Sequence, residues 1–550
     1  MSQIVSAFRG VFANRDLRRV ELAAVGSELA AFSYFVVLAV VAYDASGTGG
    51  VGILMLTRMA AAAITTPFTS ALADRFPRKR VMVASNLLAA ALILAIAAAV
   101  SAGVGLVGLC ALASIAAIVT SVFRPAQAAL LPTLARTPEQ LTAANAVSTT
   151  VEGVAIFLGP GIGGILLGLS GPTSVFGFAA AGLLWSAALV TFVHEAPHAP
   201  EPEPEAGPES RFREATAGIR TLASERALLA VVGVYAVQTI VAGALAVFNV
   251  VLALEVFDLG NAGVGYLDSA FGVGGIIGGI LAAGLSGSRR LGAWFAVGAM
   301  VWGVGISLVG LSPTALIVFV VLAGVGAGNT VVDVAAITLI QRSAPAAVLA
   351  RVFGVIESIL LSGIGLGSIL APVLIAWLGA RPAIVVTGLL LPLAVALLGR
   401  RILSLDAVGE ELIPLVDLMR ATSIFAPLPQ ATLEQVARRL EPMTVLAGKA
   451  VINQGDAGDL FYLIATGTAL VSVDGEPRAT IVAGDFFGEI ALLRDTPRTA
   501  TVTAETDMEL LSLDRDQFLA AVTGHAQSVE EADLVVSQRL AALRQGVSAF

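Results

Sequence analysis

Phe487–Val502, FGEIALLRDTPRTATV, differs in kind from the long apolar runs that precede it, and its residue types suit a pocket for a small anion. Gly488 frees the backbone to come close to a ligand. The residues after it start a short helix whose unpaired N–H groups and positive dipole end favour negative charge. Glu489 can accept a hydrogen bond from a sugar hydroxyl, and Arg498 offers a planar fork of donors to phosphate oxygens. A surface turn with a chance Glu and Arg is the alternative, but residue types and spacings agree along the whole string.

Composition places the rest of the chain in a membrane. Over 550 residues the mean hydropathy is +0.88, with 57% hydrophobic and 13% charged residues, which excludes an ordinary soluble globular protein. From Ala421 onward nine Lys/Arg face seventeen Asp/Glu, an excess equal to the whole net charge of −8. An acidic tail without a Lys-rich patch argues against nucleic acid as a partner. Cys110, the single cysteine, lies in an apolar run and has no intramolecular disulfide partner, so its expected role is packing. The charged residues near Met1 and the length of the first apolar run suggest insertion by that first helix, with no cleaved signal peptide.

A spanning helix needs about 20 mostly apolar residues, and twelve such runs can be placed. The first half has Arg18–Tyr43, Gly50–Ala73, Val81–Ala102, Val104–Phe123, Ala143–Leu169 and Thr173–Val193. The second has Ala227–Phe257, Ala262–Leu285, Leu291–Leu311, Pro313–Ile340, Ala350–Leu378 and Pro382–Arg400. Between the halves, the Pro/Glu-rich His194–Pro208 reads as a linker and Ser210–Ser224 as a short surface helix. Basic residues collect at alternate connections: Arg9, Arg15, Arg18 and Arg19, then Arg75 to Arg80, Arg136, Arg289 with Arg290, and Arg342. This distribution predicts cytoplasmic termini, linker and tail. A shift of 205 residues superposes Glu152 on Glu357, each followed by a Gly-rich run, LGPGIGG at Leu158–Gly164 and GIGLGS at Gly363–Ser368. The expected architecture is therefore two parallel six-helix repeats with a central site between them; a chance alignment of Gly-rich helices is the alternative.

Ser70–Lys79, SALADRFPRK, resembles the signature loop between helices two and three of major facilitator transporters, GxxxDRxGRK. Asp74, Arg75, Arg78 and Lys79 match; Ser70 and Pro77 replace the glycines. The resemblance implies that these four residues form a conformational gate, with Asp74 and the basic residues holding the inward-closed state together; a plain basic loop is the alternative. LGPGIGG also resembles the helix-five motif of the exporter branch, and FRPAQAALLP, Phe123–Pro132, its helix-four end. The resemblance covers about the first 400 residues and implies a polytopic α-helical membrane protein of the major facilitator fold.

Ionisable residues inside spanning segments are costly and are candidates for transport or proton coupling. Glu28 and Arg58 fall at similar depths on antiparallel helices and are expected to pair. Glu28 would exchange the proton, with Glu152 and Glu357 lining the cavity or coupling. A static salt bridge is the competing reading. Glu21, one face-repeat before Glu28, would extend a polar path toward the cytoplasm. Asp333 reads as a cap or gate residue, and Asp44 and Asp268 as solvated.

From Thr444 the pattern changes to short strands bounded by glycine, with a hairpin turn at Asp474–Gly475, a preceding helix at Gln430–Leu440 and following helices at Arg515–Thr523 and Ser528–Gln545. Arg539 and Arg544 sit late in the last helix, where they complement the macrodipole. This layout, and the cassette at its centre, resemble the cyclic-nucleotide-binding family over about Ile424–Gln545. The resemblance implies a binding site of Phe487, Gly488, Glu489, Ile490, Ala491, Arg498 and Thr499. Glu489 would hold the ribose 2′-hydroxyl, Arg498 the cyclic phosphate, and the last helix would close over the base. The implied ligand is cAMP, a regulator and not a catalytic cofactor, with cGMP compatible with Thr499.

The domains expected are a six-helix bundle at residues 1–193, a linker with surface helix at 194–225, a second bundle at 226–402, a coupling linker at 403–423 and a cytoplasmic β-roll at 424–550. In the linker, Glu411–Arg420 reads equally as a rigid helix or a slack tether. The expected function is a proton-coupled exporter of a small or amphipathic molecule in a bacterial-type cytoplasmic membrane, regulated by cyclic nucleotide. A non-transporting sensor is the alternative and a channel a weaker one. Three His and no nucleophile or metal constellation offer no site for catalysis. A monomeric transport unit is expected, with the cytoplasmic domain offering a route to a dimer. A cavity lined by Gly, Ala and Leu with a few acids would suit an amphipathic or cationic compound, or a lipid.

Overall fold

Apolar runs this long must satisfy their own backbone, and in the computed structural model they do so as helices. Residues 11–135, 137–194, 226–284, 288, 290–343, 346–428, 430–524 and 526–545 are described. The linker His194–Pro208 beyond its first residue and the surface helix Ser210–Ser224 lie outside them, as do the side chains of Asp74 and Arg75. The chain divides into two compact units, Met1–Thr338 with Ala347–Leu403, and Leu339–Ala346 with Ser404–Phe550.

In the first unit the helices are α1 (Arg15–Arg75), α2 (Arg78–Ser101), α3 (Leu106–Thr120), α4 (Phe123–Leu134), α5 (Pro138–Ser170), α6 (Pro172–Thr191), α7 (Arg226–Val251), α8 (Gly260–Ala283), α9 (Leu291–Leu311), α10 (Ala315–Ser343), α11 (Ala346–Leu378) and α12 (Ala380–Glu411). Among the described residues eleven helical segments are long and apolar enough to cross a membrane. The first of them, Arg15–Thr65, has 51 residues. At about 1.5 Å per residue it is more than twice the thickness of a bilayer core. It folds back at Ser46 (φ −157°, ψ 29°) and Gly47 (φ 60°, ψ −153°), the second a conformation glycine adopts without steric cost. The fourth expected span runs on past Phe123, because α3 and α4 together form one apolar segment, Leu106–Leu134.

Glycines let the helices approach closely. On α5, a Cβ at Gly164 would lie 2.7 Å from the Ala262 carbonyl oxygen of α8, and one at Gly163 3.0 Å from the Ser33 carbonyl of α1. Ser269 of α8 donates to the Phe157 carbonyl at 2.9 Å. On α11, a Cβ at Gly367 would run into the Ile240 carbonyl of α7, and Ser368 donates to the Gly52 carbonyl of α1 at 3.2 Å. Thus α5 packs on α8 and the first stretch of α1, while α11 packs on the second stretch of α1 and α7. The two Gly-rich runs occupy equivalent places in two related halves.

Since the obstacle at Gly367 is backbone, Gly367→Leu should force α7 and α11 apart, at a cost of about 1–3 kcal/mol. A lowered thermal midpoint of the purified protein is expected. Gly279→Leu, where no atom lies within 4 Å, should leave it unchanged; equal midpoints for both variants would remove the close-packing role.

In the second unit, the stretch read as helix or tether is helical. α12 runs to Glu411, and α13 (Ile413–Ala421) buries Val416 and Met419 in one core with Phe425, Phe461 and Phe518. After α14 (Gln430–Ala437), eight strands form two four-stranded antiparallel sheets. One has the order β1 (Glu441–Val445), β8 (Met508–Asp514), β3 (Leu460–Thr466), β6 (Phe486–Phe487). The other has β2 (Ala450–Ile452), β7 (Thr501–Ala504), β4 (Thr468–Val473), β5 (Glu476–Val482). The β4–β5 hairpin turns at Asp474 (φ 53°) and Gly475 (φ 82°), the left-handed pair a two-residue turn requires. A second core, with Ile464, Val471, Ile481 and Leu510, fills the roll. α15 (Glu489–Arg494) interrupts the strands, and α16 (Arg515–Thr523) and α17 (Ala526–Gln545) follow them.

Candidate functional site

The pairing of Tyr462 with Phe487 and Leu463 with Phe486 carries the chain along β6 to Gly488. There the backbone turns through φ 92°, ψ −7°, and α15 begins at Glu489. A side chain at Gly488 would be strained, and its Cβ would lie 2.6 Å from Nη1 of Arg498. A Cβ at Gly458 would come within 2.9 Å of the same guanidinium. Two glycines therefore make the cradle in which Arg498 lies.

Arg498 is 5% exposed. Its Nη1 donates to the Gly488 carbonyl at 2.9 Å and its Nη2 to the Leu460 carbonyl at 2.7 Å, so β3 and the turn before α15 fix the fork. The guanidinium carbon stands 5.9 Å from the Tyr462 ring centre. Burial pulls the Arg498 pKa down, and the charges of Tyr462, Asp459, Glu489 and Asp456 oppose that shift. Burial in turn pushes the Tyr462 phenol up, with Arg498 acting against it. No carboxylate forms an ion pair with Arg498 among the described residues, which leaves its charge available to an anionic ligand.

Glu489 is 1% exposed. Its Oε1 accepts from Nη1 of Arg539 at 2.9 Å, while its Oε2 is buried without a hydrogen-bond partner. An orphaned carboxylate oxygen is costly unless a donor arrives, and a ribose hydroxyl is such a donor. Phe487, Gly488, Glu489, Ile490, Ala491, Arg498 and Thr499 line one pocket that opens to the surface. The structure thus brings together all seven residues expected of the cassette.

Arg539 of α17 completes the same pocket, a place the sequence reading did not assign to it. It donates to the Phe486 carbonyl at 2.8 Å and lies 4.2 Å from that ring's centre. Complementing the helix dipole is therefore not its main role. The signal was present: Ala532, Val536 and Arg539 share the buried face of α17 at helical spacing. Arg494 of α15 and Asp533 of α17 add a half-exposed ion pair at 3.1 Å.

The charged residues of the membrane unit are arranged differently from the expectation. Glu28 pairs not with Arg58 but with Arg124, whose Nε lies 2.9 Å from Glu28 Oε1 and whose Nη2 contacts Glu152. The reason is that α4 continues the helical segment beyond Phe123, so Arg124 enters the cavity and does not lie in a connection. Glu357 on α11 feels the charge of Arg124 without an ion pair among the described residues. Glu21 is buried and takes the Ser148 hydroxyl at 2.8 Å. Asp268, expected to be solvated, is half-buried and accepts from Asn249 at 2.7 Å, because α7 and α8 meet there. Asp333 accepts from Gln238 and Asn329, which makes it a member of a helix-to-helix network and not a cap. Arg78 and Lys79 begin α2 directly after the Phe76–Pro77 break.

A sequence profile described as Major Facilitator Superfamily matches residues 22–364, and one described as Cyclic nucleotide-binding domain matches residues 442–525. The first covers most of the chain, and the protein belongs to the Major Facilitator Superfamily, with a cyclic-nucleotide-binding domain after its membrane unit. Over 102 residues it is 42% identical to the cAMP-dependent protein kinase regulatory subunit of Yarrowia lipolytica, covering 18% of this chain and 27% of that protein. Over 111 residues it is 34% identical to the cGMP-dependent protein kinase of Eimeria tenella, covering 20% of this chain and 11% of that one. A solved structure described as Sp-2Cl-cAMPS bound to PKAR CBD2 aligns at 25% identity and a TM-score of 0.23, covering 26% of this chain and 96% of that one. The chain thus spans about a quarter or less of the length of these curated relatives.

Proposed function

We propose that the protein is a proton-coupled exporter of a small or amphipathic molecule whose activity is set by cAMP bound to its C-terminal domain. The observation that carries the regulatory half is the buried, unpartnered Oε2 of Glu489 in the same pocket as the buried fork of Arg498. cAMP is favoured over cGMP because identity is higher to the cAMP-dependent relative, 42% against 34%. Export is supported by the LGPGIGG run on α5. Proton coupling is supported by Glu28 and Glu152 sharing the one cation of Arg124 beside a cavity; the Asp74, Arg75, Arg78 and Lys79 loop supplies the gate. Counting the folded-back first segment as two crossings gives twelve helices. The alternation of basic connections supports a cytoplasmic position for both termini and the nucleotide domain, in a cytoplasmic membrane of bacterial type. The transport unit is a monomer, with dimer contacts reserved for the nucleotide domain. The proposed domains are bundles at 1–193 and 226–402, linkers at 194–225 and 403–423, and a nucleotide domain at 424–550, into whose core the helix Ile413–Ala421 packs.

Proteoliposomes carrying the full chain, a proton gradient and a panel of dyes, lipids and siderophore-like compounds test this reading. Flux of at least one compound should depend on the gradient and change when cAMP is added on the side of the nucleotide domain. Glu28→Gln should abolish the gradient dependence, and normal proton-driven turnover in that variant removes Glu28 from the mechanism. Saturable cAMP binding without flux of any compound would favour a sensor with a transporter-like body.

A further inference from the structure

Arg58 is a buried charge in the membrane unit with no ion pair among the described residues. It lies in the second stretch of α1, within the apolar segment Arg15–Thr65. Among the described residues its Nε is buried without a hydrogen-bond partner and its Nη1 reaches the Met55 sulfur at 4.0 Å. The guanidinium carbon stands 5.6 Å from the Tyr34 ring centre and 5.7 Å from that of Phe35. Ring faces offset part of the cost of a buried cation but supply no counter-charge. No carboxylate pairs with Arg58 among the described residues. The Tyr34 hydroxyl is likewise buried and unpartnered. Both side chains line one open cavity of ≈ 240 Å³, with Ile93, Phe123 and Leu183 among its apolar walls. Glu28 and Arg124 line the same cavity, but Arg124 is already engaged by the carboxylates of Glu28 and Glu152.

An unpaired cation and an unpaired hydroxyl donor beside apolar walls are complementary to an anion with an apolar body. We propose that this cavity binds an amphipathic organic anion, with the Arg58 guanidinium and the Tyr34 hydroxyl donating to its carboxylate, sulfonate or phosphate group and the apolar walls taking its body. The inference rests on the membrane unit being a substrate-carrying body, and it favours anions over the cationic compounds that the acids alone suggested.

The test uses the full chain in zwitterionic nanodiscs with tritiated naphthalene-2-sulfonate as probe. Saturable binding is expected, weakened about tenfold or more in Arg58→Met and less in Arg58→Lys, which keeps a point charge. Tyr34→Phe should weaken it by about threefold. Because Arg58→Met removes an unpaired buried charge, its thermal midpoint without probe should equal or exceed that of the parent. Probe binding unchanged in Arg58→Met, a fallen midpoint, or displacement of the probe by naphthylmethyl-trimethylammonium as effectively as by unlabelled probe would each overturn the proposal. Displacement by lysophosphatidylglycerol points to a lipid source of the anion and displacement by decanoate to a water-borne acid; either supports the anionic class. Arg58-dependent binding with no faster flux than in empty vesicles would remove the transport reading and leave the anion site standing.

Discussion

Arg498→Ala is expected to weaken cAMP binding to the full chain by on the order of 10²- to 10³-fold, the loss that about 3–5 kcal/mol for an uncompensated buried charge implies. The magnitude follows from placement. Arg498 is nearly inaccessible, its fork is held by the Gly488 and Leu460 carbonyls, and it lies in the space that Gly458 and Gly488 leave free of side chains. Arg539 in the same pocket is already paired with Glu489, so a cyclic phosphate entering it would exchange water for the Arg498 guanidinium, and removal of Arg498 would strand the phosphate charge. Arg498→Lys should recover only part of the affinity, because an ammonium cannot hold the fixed fork. Isothermal titration gives the dissociation constants, and near-ultraviolet circular dichroism checks that the β-roll persists after the two carbonyls lose their donor. Equal affinity in Arg498→Ala would remove the phosphate assignment.

Glu489→Gln should weaken cAMP binding by about 10- to 100-fold, corresponding to about 1.5–3 kcal/mol for a hydrogen bond to a charged group. The loss should be specific to one hydroxyl. In the parent protein 2′-deoxy-cAMP should bind about as weakly as cAMP binds to the variant, and the variant should barely distinguish the two ligands. The cycle separates the ribose contact from the second consequence of the substitution, which is to weaken the ion pair with Arg539. If the variant and the parent lose the same factor on removing the 2′-hydroxyl, Oε2 is not its partner and the orphaned oxygen requires another donor.

The parts legible in the sequence were those whose determinants lie close together along the chain. The cassette is local: Gly488, Glu489 and Arg498 are brought to one pocket by a left-handed turn, a six-residue helix and a return to β7, and their order already encodes that path. The spanning helices are local too, since twenty apolar residues in a row leave the backbone no other partner than itself. Arg539 could have been found by extending the buried spacing from Ala532 and Val536, but it touches Glu489 only after α17 returns across 50 residues of chain.

Sequence alone therefore determined the membrane body, the β-roll and the anion cassette, because hydrophobic length, strand alternation and a compact motif act over short separations. Tertiary structure decided which charges meet. Glu28 and Arg58 matched in depth, yet depth leaves rotation about the helix axis undefined, and it is the docking of α1, α4 and α5 that gives Glu28 and Glu152 to Arg124. That choice leaves Arg58 between aromatic rings and without a carboxylate partner among the described residues, because ion pairing in a packed bundle depends on which faces the helices turn toward one another.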